Sequence, residues 1–300
     1  MFTYAFMQIP AGIILDRYGP RKAITFAILI LSLGLLLVAK TEYYPLAILG
    51  RLLLGVGSAF GFLGTSKIVS LWFSLKAMPL LLGSAIFLGS LGGAFSKEIC
   101  SLLPENWEWR QSIVGIAYMG LLLAFVIWFL LKEAPVSGEN FAQGKTPKKP
   151  ILSQLALIIK NKQIFLGALF TFFAYLPISI LGDSWGPLAF EKMFDAHKDL
   201  ADKTVVFFYI AFSLGSFFYS SAAYRLRNIR TVLMFACCVT VIFLYLLLFQ
   251  TQVGCQHYFG IPGFLILTFL VAFNLGGVPL AFSIGCAHAS KIRSWRWIKT

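Results

Sequence analysis

Long apolar runs alternate with short charged clusters along the whole 300-residue chain. Nine such runs are legible: 2–15, 23–39, 45–63, 77–95, 113–131, 164–181, 204–223, 231–249 and 258–287. Most approach the roughly 20 residues that carry a helix across a hydrocarbon core of about 30 Å. Only helices and closed barrels satisfy the backbone in lipid. The runs are continuous rather than alternating with period two, so a barrel is excluded. The pattern predicts an all-α, polytopic membrane protein. The first run is short for a span and reads as a helix whose beginning is missing.

Composition agrees with the pattern. The chain is 59% hydrophobic and 16% aromatic, with a mean hydropathy of +0.82. Soluble domains hold about 45–50% apolar residues. The net charge of +13 would suggest nucleic acid on a soluble protein. Here the basic residues flank the spans, so the expected partner is the lipid bilayer and not nucleic acid. Of 25 Lys and Arg, 18 fall on one set of loops and the tail; of 12 acidic residues, only 3 join them. That set includes Arg17, Arg21 and Lys22, then Lys67 and Lys76, then Arg225, Arg227 and Arg230. The positive-inside rule puts these loops in the cytoplasm. The N-terminus is then outside and the C-terminus cytoplasmic, in the plasma membrane (the inner membrane of a Gram-negative cell).

The longest loop, 132–162, contains APVSGENFAQGKTPKKP and reads as a linker. That stretch is followed, still within the loop, by ILSQLALIIKNKQ, which has the character of an amphipathic surface helix. The loop divides the chain into a first bundle at 1–131 and a second at 163–300. A weak echo links the halves: the basic turn DRYGPRK at 16–22 corresponds to YRLRNIR at 224–230. Five cysteines occur without a CxxC pair. Cys237, Cys238 and Cys286 read as packing residues, and a Cys100–Cys255 disulfide is an open alternative that spacing does not support.

The stretch IPAGIILDRYGPRK resembles the signature loop of the major facilitator superfamily, Gly-x-x-x-Asp-Arg-x-Gly-Arg-Arg/Lys. The matching residues are Gly12, Asp16, Arg17, Gly19, Arg21 and Lys22, with Pro20 departing from the pattern. Arg51, Gly55 and Gly57 resemble the RxxxGxG motif of the family's fourth helix. Gly89, Ser90, Gly92 and Gly93 resemble the fifth-helix GPxxG motif, with Ser90 in place of Pro. WEWRQS at 107–112 resembles the start of the sixth helix. The resemblance implies two six-helix bundles that work by alternating access around a midplane site. Aligned this way, the chain holds about nine of twelve transmembrane helices, the family's second to tenth. The expectation is a chain truncated at both ends, by a frameshift or a misplaced start, with an unmatched tail after Ala289.

The resemblance also assigns roles. Gly12, Asp16, Arg17, Gly19, Arg21 and Lys22 form a conformational-switch motif. In it Asp16 faces the N-terminus of the eleventh helix, where the dipole favours an anion. The bland alternative is a topology anchor at the headgroups. Arg51 is either a cavity residue linked to proton coupling or a side chain snorkelling to the interface near Glu42. Gln8, Tyr175 and Asn274 are candidates for substrate contact, and Pro177 and Pro279 for kinks in cavity-lining helices. Gly83, Gly89, Gly92 and Gly93 leave one helix face bare, suited to close packing or gating. Asp183 reads as an interface residue, and Lys97 with Glu98 as an exposed ion pair at the outer end of their helix.

No cofactor or metal is expected: His257 and His288 are isolated. His197 and Asp202 fit an HxxxxD acyltransferase spacing, but two common residues five apart carry little, and no enzyme is expected. The functional expectation is a secondary transporter of a small polar metabolite, coupled to protons or to an exchange partner. A nonfunctional transporter remnant and a transporter-like membrane sensor are the alternatives. The sequence leaves the substrate and the oligomeric state open.

Overall fold

The computed structural model describes residues 2–74, 76–101, 109–132, 162–184, 186–194, 198–252 and 256–284. The bulk of the 132–162 linker, Trp107, Trp185, His197, Cys255, Cys286, His288 and the tail fall outside them. So do the side chains of Lys97, Glu98, Cys100, Asp183, Asp202 and His257. Among the described residues every regular element is helical, and eight stretches are long and apolar enough to cross a membrane. The chain is a multi-pass membrane protein. Many Phe, Leu and Trp side chains are exposed, as a surface that faces lipid would be.

Helices α1 (Phe2–Tyr18), α2 (Pro20–Lys40), α3 (Tyr44–Ser58), α4 (Phe60–Trp72) and α6 (Trp109–Leu130) belong to one compact unit, Met1–Phe73 with Ile99–Phe141. The turn between α1 and α2 depends on Gly19, whose φ of 78° suits glycine. Pro20 then opens α2 at the position where its missing N–H costs no hydrogen bond. Small residues bring α2 against α3. A Cβ on Gly34 would stand 2.8 Å from the Gly50 carbonyl oxygen, and one on Gly57 would stand 2.6 Å from that of Ala27. Ala11, Leu15, Ala23, Ala27, Ala59 and Phe60 form the buried centre where α1, α2 and α4 meet.

The third apolar run continues further than its hydropathy predicts. The pattern places its end at residue 63, with Lys67 in a loop. The helix instead runs to Trp72, interrupted only at Ala59, and Lys67 is helical. The polar residues that mask this in the sequence satisfy themselves within the helix. Thr65 Oγ1 donates to the Gly61 carbonyl at 3.0 Å, Ser66 Oγ to Leu63 at 2.9 Å and Ser70 Oγ to Lys67 at 2.8 Å.

The second unit, Ser74–Glu98 with Ala142–Thr300, holds most of α5 (Met78–Ser101), then α7 (Lys162–Ile178), α8 (Gly186–Phe194), α9 (Lys198–Leu226), α10 (Ile229–Gln252) and α11 (Gln256–Leu275). A π-helical turn, Ser179–Ser184, follows two residues after Pro177. Proline cannot donate to the carbonyl four residues earlier, so the α-helical ladder loosens there. Glycine sets the α9–α11 contact: a Cβ on Gly276 would collide with the Gly215 backbone. Past Leu275 the chain tightens into i→i+3 bonds, including Gly277 N to Asn274 O at 3.0 Å and Phe282 N to Pro279 O at 3.2 Å. The last apolar run is thus two segments hinged at Gly276-Gly277. Around this contact Phe208, Phe212, Val271 and Leu275 build the core of the unit.

Candidate functional site

Two polar contacts tie the DRYGPRK turn into the first unit. Asp16 ends α1, and Lys67 Nζ on α4 lies 2.5 Å from its Oδ1. Asp16 is 70% exposed, so the pair adds little stability. Arg21 opens α2; its Nε donates to the Trp128 carbonyl at 3.0 Å, and its guanidinium stacks 4.8 Å from the Trp128 ring. Trp128 sits in the last turn of α6, where carbonyls lack helical partners and the dipole favours a cation. Arg17 lies 5.5 Å over Tyr18, and Lys22 is exposed. Gly12 has open space where a Cβ would be.

Arg51 lies in α3, seven residues past Tyr44 and well inside the apolar stretch Tyr44–Trp72. It is exposed, and no hydrogen bond or ion pair engages it among the described residues. Glu42, the acid considered for it, instead faces Arg110 at 4.0 Å. Gln8 is half-buried on α1. The contacts of Gly55 with Thr3 and of Lys67 with Asp16 make α1 and α3–α4 parallel, with an offset of 51 to 52 residues. Gln8 is therefore level with residues near 60. That separates it from Arg51 by about 13 Å along the bundle at ~1.5 Å per residue. The two are not neighbours.

In the second unit Tyr175 is half-exposed on α7. Asn274 is buried at 4% exposure and has firm partners. Its Nδ2 donates to the Leu270 carbonyl at 2.7 Å, and its Oδ1 accepts from the Tyr219 hydroxyl of α9. Gly89, Gly92 and Gly93 face open space, with nothing within 4 Å of an added Cβ. The close approach on α5 is at Gly83. Its carbonyl accepts from Ser216 Oγ at 3.4 Å, and a Cβ there would collide with Ser220. Phe87, one turn on, meets Phe217 at 5.6 Å.

Sequence reasoning did not single out Lys67, Trp128 or Tyr219. Hydroxyl residues at 65, 66 and 70, each able to bond back to a carbonyl three or four residues earlier, were the available signal for a longer helix. Nothing in the sequence announces the Trp128 carbonyl as a partner. Among the described residues, no group of three or more His, Cys, Asp or Glu side chains is placed to hold a metal ion, and Cys237 and Cys238 are free.

The sequence model of the Major Facilitator Superfamily matches residues 1–293. The chain belongs to this superfamily. Among curated proteins, it is 29% identical to the hexuronate transporter of Bacillus subtilis (strain 168) over 194 residues, 61% of this chain and 44% of that protein. It is 29% identical to the probable galactarate/D-glucarate transporter GarP of Escherichia coli (strain K12), over 45% of this chain and 31% of that protein. The matched stretch thus spans less than half the length of either relative. Among solved structures, a variant of the E. coli fucose:proton symporter FucP superposes with a TM-score of 0.70 at 16% identity, covering 93% of this chain and 72% of that one. That likeness shows the superfamily fold. Each of these relatives is named as a transporter or symporter.

Proposed function

We propose that the chain acts as a secondary transporter of a small organic anion of the sugar-acid type, working by alternating access. In this reading residues 1–131 and 163–300 form two bundles joined by 132–162, and the basic loops, with the C-terminus, face the cytoplasm of a cell bounded by the plasma membrane. The observation that carries the substrate class is Arg51, an exposed guanidinium inside an apolar span with no ion pair among the described residues. A cation at that depth is costly unless it meets an anion or water in a cavity. A carboxylate can satisfy it with two parallel N–H···O bonds. Relatives named for hexuronate and for galactarate and glucarate support a carboxylated sugar over a neutral one. Gln8 is a secondary candidate within the first unit and Tyr175 within the second, where the Asn274 amide is taken up by Tyr219 and Leu270. A neutral hexose, as named for the fucose symporter, lacks the group that Arg51 would recognise.

Ligand-induced thermal stabilisation of the purified chain tests the class. Galacturonate or glucarate should raise the melting temperature, galactose should not, and Arg51→Ala should remove the shift. Equal stabilisation by galactose and galacturonate would sink the anion reading.

A further inference from the structure

The α2–α6 surface of the first unit carries an apolar groove of about 470 Å³. Thr25, Phe26 and Leu29 of α2 line one side, and Leu121, Ala124, Phe125 and Trp128 of α6 the other. Thr25 and Ala124 are small and buried, which makes the floor; the three aromatic rings make the walls. The Thr25 hydroxyl is turned away from any ligand, because it donates to the Arg21 carbonyl at 2.8 Å.

One end of the groove is cationic. Arg21 is held there by two contacts with Trp128, one through Nε and one through the ring. Its four terminal N–H groups are engaged by no described residue. Arg17 and Lys22 flank it in sequence, and Lys132 follows α6 two residues past Leu130. The acid of the turn, Asp16, is paired with Lys67 of α4. An apolar groove ending in a guanidinium pre-oriented against the last turn of α6 matches one ligand chemistry. We propose that this groove is a binding site for an anionic glycerophospholipid, with one acyl chain between Phe26 and Phe125 and the headgroup phosphate on Arg21. A planar guanidinium fixed by stacking loses little freedom on meeting a phosphate. A zwitterionic lipid gains less, because its ammonium group meets the same basic cluster.

Native mass spectrometry of the intact chain, released from micelles holding equal phosphatidylglycerol and phosphatidylcholine of matched acyl chains, tests the site. The wild type should retain one phosphatidylglycerol in preference to phosphatidylcholine. Arg21→Gln should cut that preference about fivefold, the scale of one basic side chain near an anionic surface. Leu121→Trp fills the groove without touching the cation and should lower retention of the bound lipid, whichever headgroup it carries. Arg225→Gln, a basic residue of the second unit, should change nothing. Equal retention of the two lipids by the wild type would overturn the proposal. So would an unchanged preference in Arg21→Gln, an unchanged retention in Leu121→Trp, or a lipid-free dimer in which a second copy covers the groove.

Discussion

Tyr219 and Asn274 join α9 to α11 through one buried hydrogen bond, and each can be tested by removing a few atoms. Tyr219→Phe leaves the Asn274 carbonyl oxygen unpaired in the core. Interhelical hydrogen bonds inside membranes are worth about 0.6 kcal/mol on average and up to about 1.7. Thermal melting in detergent should show a loss of that size, and Asn274→Leu, which removes the amide and leaves the buried Tyr219 hydroxyl without its acceptor, should cost at least as much. An unchanged melting temperature in Tyr219→Phe would mean that the bond contributes nothing. Gly19 is a backbone case. At φ 78° an alanine sits in the left-handed region, so Gly19→Ala should destabilise the α1–α2 turn by about 1 kcal/mol. Gly12→Ala, with open space around it, should be neutral in the same melt. A neutral Gly19→Ala would contradict the conformational argument.

Glycines that look alike in sequence separate at the level of helix pairs. Gly57 touches the α2 backbone, so Gly57→Val must push α2 and α3 apart and should cost several kcal/mol, by the mechanism of overpacking a close contact. Gly89→Ala and Gly92→Ala on α5 meet nothing and should be neutral, or stabilising by up to about 1 kcal/mol through helix propensity. Melting temperatures of the three variants decide it; a Gly57→Val protein as stable as Gly89→Ala would refute the α2–α3 packing. The same comparison shows what the sequence could tell. Apolar length located the spans to within a few residues in most cases, because lipid imposes that length directly. It missed the continuation to Trp72, because Thr65, Ser66 and Ser70 bond back into their own helix and so behave as apolar residues. It showed that α5 has a bare face but not that Gly83 is where that face meets Ser216 and Ser220. Spacing defines a face, whereas the partner depends on tertiary packing. Arg21 was legible as a basic residue at a span end; its capping of α6 was not, since the acceptor is a backbone carbonyl.

Across the whole molecule, charge asymmetry and helix direction make one joint prediction. Asp16 with Lys67, and Arg21 with Trp128, bring the ends of α1, α4 and α6 to the same side as the start of α2. With the positive-inside rule that side is cytoplasmic. In a cysteine-less background, single cysteines at Tyr18 and Arg227 should resist a membrane-impermeant maleimide applied to intact cells, while one at Tyr43 should react; the reverse pattern would invert the topology. The central claim concerns movement of solute. The direct measurement is uptake of a radiolabelled carboxylated sugar into proteoliposomes containing the purified chain, with wild type, Arg51→Lys and Arg51→Ala compared. The account predicts saturable uptake by the wild type, reduced uptake with Arg51→Lys and background uptake with Arg51→Ala. Wild-type uptake no greater than in empty liposomes, or full uptake with Arg51→Ala, would contradict it.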